Sequence, residues 1–479
     1  MKKINCIPFV IILLFSLSIQ AQTKQWTLEE CIKYAIDNNI SIKQTELDTK
    51  TADIDKKGAI GNFIPSLSSN ANHSWNIGLN QDPTTGLLRN QTTQYSSFGV
   101  GVGFDIYKGL QNQNRLRRAK MAQIASQYQL LKMQDDIALY VANAYLEILF
   151  NKENLKVQEG QLDFDMKQLK RTEELVNSGS LPRGDLLDMK ATIAADNQKV
   201  VVAENSLLIS RLSLAQLLAL DDFENFDITD DTIEITQSLV MAESSEAIVK
   251  KANEIRVEIK IAQANLDLAV RDIKIAKGAF QPSLTGFYSF STRASYSDRI
   301  SGFAVDSSNP TSIIGQVQGT GQNVLQPNFI PLFSRASPVF DQFSNNKGHN
   351  FGLELRVPIF NGFSAKGNVE RSKVNFEKTK NAFDQAKLDL ETNVYKAITD
   401  TKGALKTYES ALATLEARQE AFNYAKEKYA VGMMNAFDFN QSQTIFVASQ
   451  SDVIRAKYDY IFKMKVVELY FGIPIIQKQ

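Results

Sequence analysis

The sequence writes one pattern twice. Gly61-Asn62-Phe63-Ile64-Pro65-Ser66-Leu67 is echoed 217 residues on by Gly278-Ala279-Phe280-Gln281-Pro282-Ser283-Leu284, and the same spacing pairs Ala35 with Ala252 and Asp37 with Glu254. Phe98-Gly99-Val100 through Ile106-Tyr107-Lys108-Gly109 then matches Phe351-Gly352-Leu353 through Ile359-Phe360-Asn361-Gly362 at a spacing of 253, which persists to pair Gly179 with Gly432 and Asp185 with Asp438. The two spacings differ by 36 residues, so one insertion between Leu284 and Phe351 enlarges a loop of the second copy. Self-similarity at a fixed long period restricts the chain to copies of one supersecondary unit. The copies are assigned to residues 22–240 and 241–479.

Each copy changes period along its length. Leu67, Ser69, Ala71, His73, Trp75, Ile77 and Leu79 alternate with Ser68, Asn70, Asn72, Ser74, Asn76, Gly78 and Asn80, the period of a strand with one polar and one apolar face. The same alternation predicts strands near 67–80, 95–107, 284–296 and 350–360, long enough for the roughly 9–11 tilted residues of an outer-membrane strand. Trp75, Val100 and Leu353 are expected to face lipid, and Asn76, Gly101 and Glu354 water, with Arg356 beside Glu354.

After each second strand the period becomes helical. Leu155, Leu162, Leu169 and Val176 are spaced by seven, as are Tyr408, Leu415, Phe422 and Tyr429; beyond the glycines run Leu186, Ile193, Val200, Leu207, Leu214 and Phe439, Phe446, Val453, Tyr460, Val467. Such rows specify supercoiled helices that pack on neighbours. They predict helical hairpins over 110–220 and 362–471, turned at Asn177-Ser178-Gly179 and Val431-Gly432 because glycine takes the left-handed conformation that ends a helix.

Met1-Lys2-Lys3, the apolar run Ile7–Ile19 and Gln20-Ala21-Gln22 have the order of a secretory signal peptide, residues 1–21. That run is too short to span a bilayer, no later segment reads as a transmembrane helix, and membrane passage is left to strands. Cys6 is not placed as a lipoprotein cysteine, and Cys31 alone cannot make an internal disulfide. Lysine plus arginine balances aspartate plus glutamate at 53 each, which argues against a nucleic-acid partner. His73 and His349 read as ordinary polar residues, and no constellation of acid, base, nucleophile or metal ligands is present, so neither enzyme nor cofactor is expected.

Four strands cannot close a membrane barrel, because free strand edges are not tolerated in lipid. The chain must oligomerise: two copies give eight strands with a filled interior, three give twelve and a wider lumen.

The duplicated order of helix, G-x-F-x-P-S-L, strand, loop, strand, Y-x-G or F-x-G ending and long helical hairpin resembles the TolC-like outer-membrane efflux family. The likeness runs from Trp26-Thr27-Leu28-Glu29-Glu30 to Gly472-Ile473-Pro474. It implies a homotrimeric β-barrel with four strands per chain, continued by a periplasmic α-helical coiled-coil barrel. It also implies a periplasmic adaptor and an inner-membrane pump of the RND or ABC type as partners, in efflux or type I secretion. The family's tip motif corresponds to Tyr429-Ala430-Val431-Gly432, which together with Gly179 and Ser180 gives the candidates for hairpin turn and adaptor docking. Its acidic constriction corresponds to Asp438 and Gln441, with Asp185 and Asp188 at the equivalent sites of the first copy. An acid in the first turn of a helix also has a purely structural use. The competing class is a periplasmic adaptor, which shares the coiled-coil hairpin but not the duplicated amphipathic strands.

Overall fold

The computed structural model describes residues 25–81, 86, 88–221, 225–230 and 238–475, so the expected signal segment, residues 1–21, lies outside the described residues. In chain order the elements are β1 (Gln25–Trp26), α1 (Leu28–Asn38), α2 (Ile40–Gly61), β2 (Ser66–Gln81), β3 (Leu88–Lys108), α3 (Gln111–Asn177), α4 (Arg183–Leu218), β4 (Asp227–Ile228), α5 (Ser245–Ile255), α6 (Val257–Gly278), β5 (Ser283–Ser295), β6 (Arg299–Val305), β7 (Thr311–Gln316), β8 (Asn323–Pro327), β9 (Phe329–Ser334), α7 (Val339–Asn345), β10 (Gly348–Arg356), α8 (Ser364–Ala430) and α9 (Ala436–Phe471). The chain is mixed helix and sheet, mostly helical. It divides into a helical unit, built from residues up to 54, 120–269 and from 375 onward, and a sheet unit, 55–119 and 270–374.

In the helical unit α1 starts on a capping box: Glu30 N donates to Thr27 Oγ1 at 3.2 Å and Thr27 N donates to Glu30 Oε2 at 3.1 Å. Asn39 holds the α1–α2 junction, accepting from Ser41 N and donating to the Leu217 carbonyl, both at 2.8 Å. Ile32, Ile42, Val141, Tyr145, Ile148, Leu214, Leu218 and Ile228 form the main core. The short parallel pair β1–β4 is tied to α3 by Lys152, which donates to the Ile228 carbonyl and pairs with Asp227 and Asp230 at 2.9 and 2.8 Å. α3 and α8 have 67 residues each, about 100 Å of helix, and α4 and α9 have 36 each. Every residue of the four heptad rows is buried or half-buried.

By length and composition alone α4 is long and apolar enough to cross a membrane, although Glu204 and Arg211 interrupt its apolar stretch. The reason is that α4 is apolar on two faces. Leu207, Leu214 and Leu218 are buried in the core, while Val201 and Val202, repeated seven residues on by Leu208 and Ile209, and Leu212 beside them remain 44–61% exposed.

The sheet unit centres on one antiparallel sheet in the order β10-β5-β3-β2. β3 begins at Leu88, earlier than the 95 expected. β10 ends at Arg356 rather than 360, because Pro358 has no N–H to give a neighbouring strand. Between Asp105 and Tyr107 the register with β5 slips by one, so Tyr107 rather than Ile106 lies opposite Leu284. The inserted loop folds into two antiparallel pairs, β6 with β9 and β7 with β8. Phe329, Ile330, Leu332 and Phe333 of β9 are exposed. α7 is pinned to β5 by Gln342, whose side chain accepts from Ser295 N and donates to the Ser295 carbonyl, both at 2.9 Å.

Candidate functional site

Strand register sorts the sheet residues onto two faces, because directly opposed residues of an antiparallel pair share a face. One face carries the rows Leu67, Val102, Tyr288, Phe351 and Ser69, Val100, Phe290, His349, with Trp75, Phe98 and Leu353 beyond them. The other carries Ser68, Gly101, Ser289, Asn350 and Asn70, Gly99, Ser291, Gly348. On the polar face Glu354 pairs with Arg356 at 3.0 Å, and Lys108 with Asp105 at 2.8 Å. The apolar face is bare: Leu67, Phe351 and Leu353 are 73, 77 and 67% exposed. Both histidines stand on it among aromatic rings. His73 bonds Ser96 Oγ at 2.7 Å and packs edge-on against Trp75, while His349 bonds the Tyr288 hydroxyl at 2.9 Å. Amphipathic aromatic rings of this kind border the lipid band of outer-membrane sheets.

The two hairpin tips are built alike at their first halves. At the first, Ser180 N donates to the Leu175 carbonyl at 2.8 Å and Gly179 N to Val176 at 3.0 Å; at the second, Met433 N donates to Lys428 at 2.8 Å and Gly432 N to Tyr429 at 3.2 Å. These are paired C-terminal closures that need a left-handed residue, and Gly179 and Gly432 supply it at φ 77° and 76°. The returning helices start differently. Pro182 precedes α4 with no side-chain cap, and Asp185 is half-buried in the first turn with Asp188 exposed beyond it. Asn435 caps α9: Asp438 N donates to Asn435 Oδ1 at 2.8 Å, and Asn435 Nδ2 donates back to Asp438 Oδ2 at 2.9 Å. Asp438 is thus a helix-start residue whose carboxylate remains at the surface, as does Gln441. Among the described residues no hydrogen bond or ion pair joins Asp185 and Asp188 to Asp438 and Gln441. Tyr429 stacks on buried Phe439 at 4.5 Å, so its ring is packing, whereas Val431 is 71% exposed. Met433 and Phe437 are also bare at this tip, apolar residues that no heptad row had singled out.

A polar cluster missed from the sequence lies where α3, α4 and α9 meet. Asp165 and Asp196 are buried, Gln443 Nε2 donates to Asp165 Oδ1 at 2.8 Å, Gln161 donates to the other oxygen, and Lys199 holds Asp196 Oδ1 at 2.9 Å. Asp196 Oδ2 is buried without a hydrogen-bond partner. Burial, and then the Asp196 carboxylate beside it, push the Asp165 carboxyl up to about 7. The signal was available: Asp165 falls between Leu162 and Leu169, and Gln443 between Phe439 and Phe446, on the spacing of a helix seam.

The family model described as outer membrane efflux protein matches residues 31–220 and 248–463. The chain belongs to this family. It is 23% identical over 384 residues to outer membrane protein TolC of Vibrio cholerae, covering 75% of this chain and 72% of that one. It is 20% identical over 368 residues to the pyoverdine export outer membrane protein OpmQ of Pseudomonas aeruginosa, covering 77% and 68%. The Campylobacter jejuni CmeC outer membrane channel has the same fold, with a TM-score of 0.74 at 16% identity over 94% of this chain and 87% of that one. As an outer membrane efflux protein the chain spans the outer membrane, extends into the periplasm and serves efflux as an exit duct. Membership sets aside the adaptor alternative, and the family is one of channel proteins rather than enzymes.

Proposed function

We propose that three copies close into a twelve-stranded barrel, with the apolar face of the sheet against lipid and the polar face lining a water-filled lumen. The observation that carries this is the two-faced sheet with open edges at β2 and β10 among the described residues. An open edge in lipid leaves backbone groups unpaired at several kcal/mol each, and strand pairing between copies removes the cost. The second apolar row of α4, exposed in one chain, gives neighbouring copies a helical surface to cover as well.

In this reading the two halves are repeats of one unit, and the hairpin tips receive a periplasmic adaptor at Gly179, Ser180, Val431 and Gly432. Asp185, Asp188, Asp438 and Gln441 ring a constriction. The duct works with an inner-membrane pump of the RND or ABC type, which selects the cargo. The test is labelling with a membrane-impermeant thiol reagent in vesicles, using single cysteines in a background with Cys31 replaced by serine. Cysteines at Asn76 and Glu354 are expected to react and those at Trp75 and Leu353 to stay protected. Equal reaction on both faces refutes the barrel.

A further inference from the structure

Among the described residues, the polar face of the sheet balances its charges except at one place. Of the charged side chains described there, Asp105 is paired with Lys108 and Glu354 with Arg356, while Arg293 has no acidic partner among the described residues. Arg293 sits at the end of β5 away from α6, opposite Ser97 of β3 in the register. Its guanidinium lies over the Tyr95 ring, 5.6 Å from the centroid, and Asn76 donates to the Tyr95 hydroxyl. Its backbone is held too, since Asn346 Nδ2 donates to the Arg293 carbonyl at 2.7 Å. The guanidinium is therefore braced from below and behind, and its five N–H donors have no carboxylate to take them.

In front of it the sheet is hollow. A concavity of about 500 Å³ is bordered by Asn70, Ser97, Ser289, Ser291, Arg293 and Asn346. Its floor is kept low by Gly99, where a Cβ would come within 2.7 Å of Asn70 Oδ1. The rim thus supplies hydroxyls and amides, all able to donate hydrogen bonds, around one unpaired cation. Carboxylates and phosphates are the groups such a planar fork with flanking donors binds best.

We propose that Arg293 and this alcove form an anion-binding subsite on the lumen wall, near the outer mouth, that takes carboxylate or phosphate groups of solutes in transit. The proposal rests on the trimeric duct reading, which places the polar face inside. Threefold repetition then makes a ring of three guanidinium groups around the barrel lumen. Such a ring raises the local concentration of anions at that level of the duct, opposing any cation preference set by the aspartates at the helical tips.

The experiment is single-channel recording of purified protein in planar bilayers, with a salt gradient for selectivity and citrate as the anionic probe. Wild-type channels are expected to be slowed by citrate. Arg293→Gln is expected to lower the anion-to-cation permeability ratio by about twofold or more and to weaken the citrate effect by a similar factor. Arg293→Lys, which keeps the charge but loses the fork, should retain the permeability ratio and lose part of the citrate effect. Conducting Arg293→Gln channels with unchanged selectivity and citrate response overturn the subsite and leave the duct intact. A wild-type protein that forms no channel at all overturns the duct reading first, and with it the lumen on which the subsite stands.

Discussion

On the sheet, Leu67, Phe351 and Leu353 stand two-thirds or more exposed, whereas in the helical unit the carboxylates Asp165 and Asp196 are 0% and 3% exposed. The two units invert the usual rule in opposite directions. Bare leucine and phenylalanine on a whole sheet face are costly in water, about 25 cal/mol per Å² of apolar surface, and cost nothing against acyl chains. A buried acid is costly in either medium unless it is neutral or partnered. The apolar sheet face is therefore suited to a solvent other than water, while the helical unit keeps a polar joint inside. The largest test of that difference is a charge on the apolar face. Val100→Arg is expected to destabilise the folded sheet by about 2–4 kcal/mol if it sits at the bilayer midplane. Refolding titrations into lipid vesicles measure it; Gly101→Arg, one residue away on the polar face, should cost far less. Equal losses at both positions break the comparison.

The buried joint makes a prediction of the next size. The folded chain keeps a proton on Asp165 up to about pH 7, while an unfolded aspartate releases its proton near 3.8. Across that window the folded state holds more protons, so stability falls as pH rises, by about 1.4 kcal/mol per unit in the middle of the window, and levels off above 7. The groups facing Asp165 are Asp196 and Lys199 of α4, Gln161 of its own helix and Gln443 of α9, with Lys426 of α8 over the neighbouring Phe164 ring. Asp165→Asn carries no proton to lose and should flatten this part of the curve. Denaturant midpoints of the detergent-solubilised protein at pH 5, 6, 7 and 8 decide it. An Asp165→Asn curve parallel to the wild type removes the carboxyl as the source.

These two cases also show what the sequence makes legible. Strand faces can be read because side chains alternate with period 2, and the helix rows because sevenfold spacing keeps a seam on one side. The αL turns follow from glycine alone at 179 and 432. The slip at Ile106 could not be read, since a bulge changes register without changing the alternation of residue types. Nor could the pairing of β6 with β9, which depends on contacts between residues about thirty apart in a segment poor in periodic signal. Asp165 was passed over because a seam position was read only for its leucines. The Asn435–Asp438 cap was read as an acidic position without its helix-start partner.

The two hairpin tips yield the smallest and most discriminating test. Both end in the same glycine closure, yet only α9 begins with a side-chain cap, so loss of the cap should be felt at one tip and not at the other. Asn435→Ala is expected to cost about 0.5–2 kcal/mol, read as a lower unfolding midpoint, while Pro182→Ala should cost less because it removes no capping acceptor. Asp438→Asn separates structure from conduction. Its amide can still accept from the Asn435 side chain, and loss of the negative charge at a helix N-terminus costs only about 0.3–1 kcal/mol. If Asp438 rings the constriction in the trimer, the same substitution lowers the cation preference of single channels, and adding Asp185→Asn and Asp188→Asn lowers it further, because each removes three carboxylates from a narrow lumen. That graded fall is the expected outcome. A triple variant with intact trimers, a slightly lower midpoint and wild-type selectivity would instead leave the three aspartates as helix-start residues only.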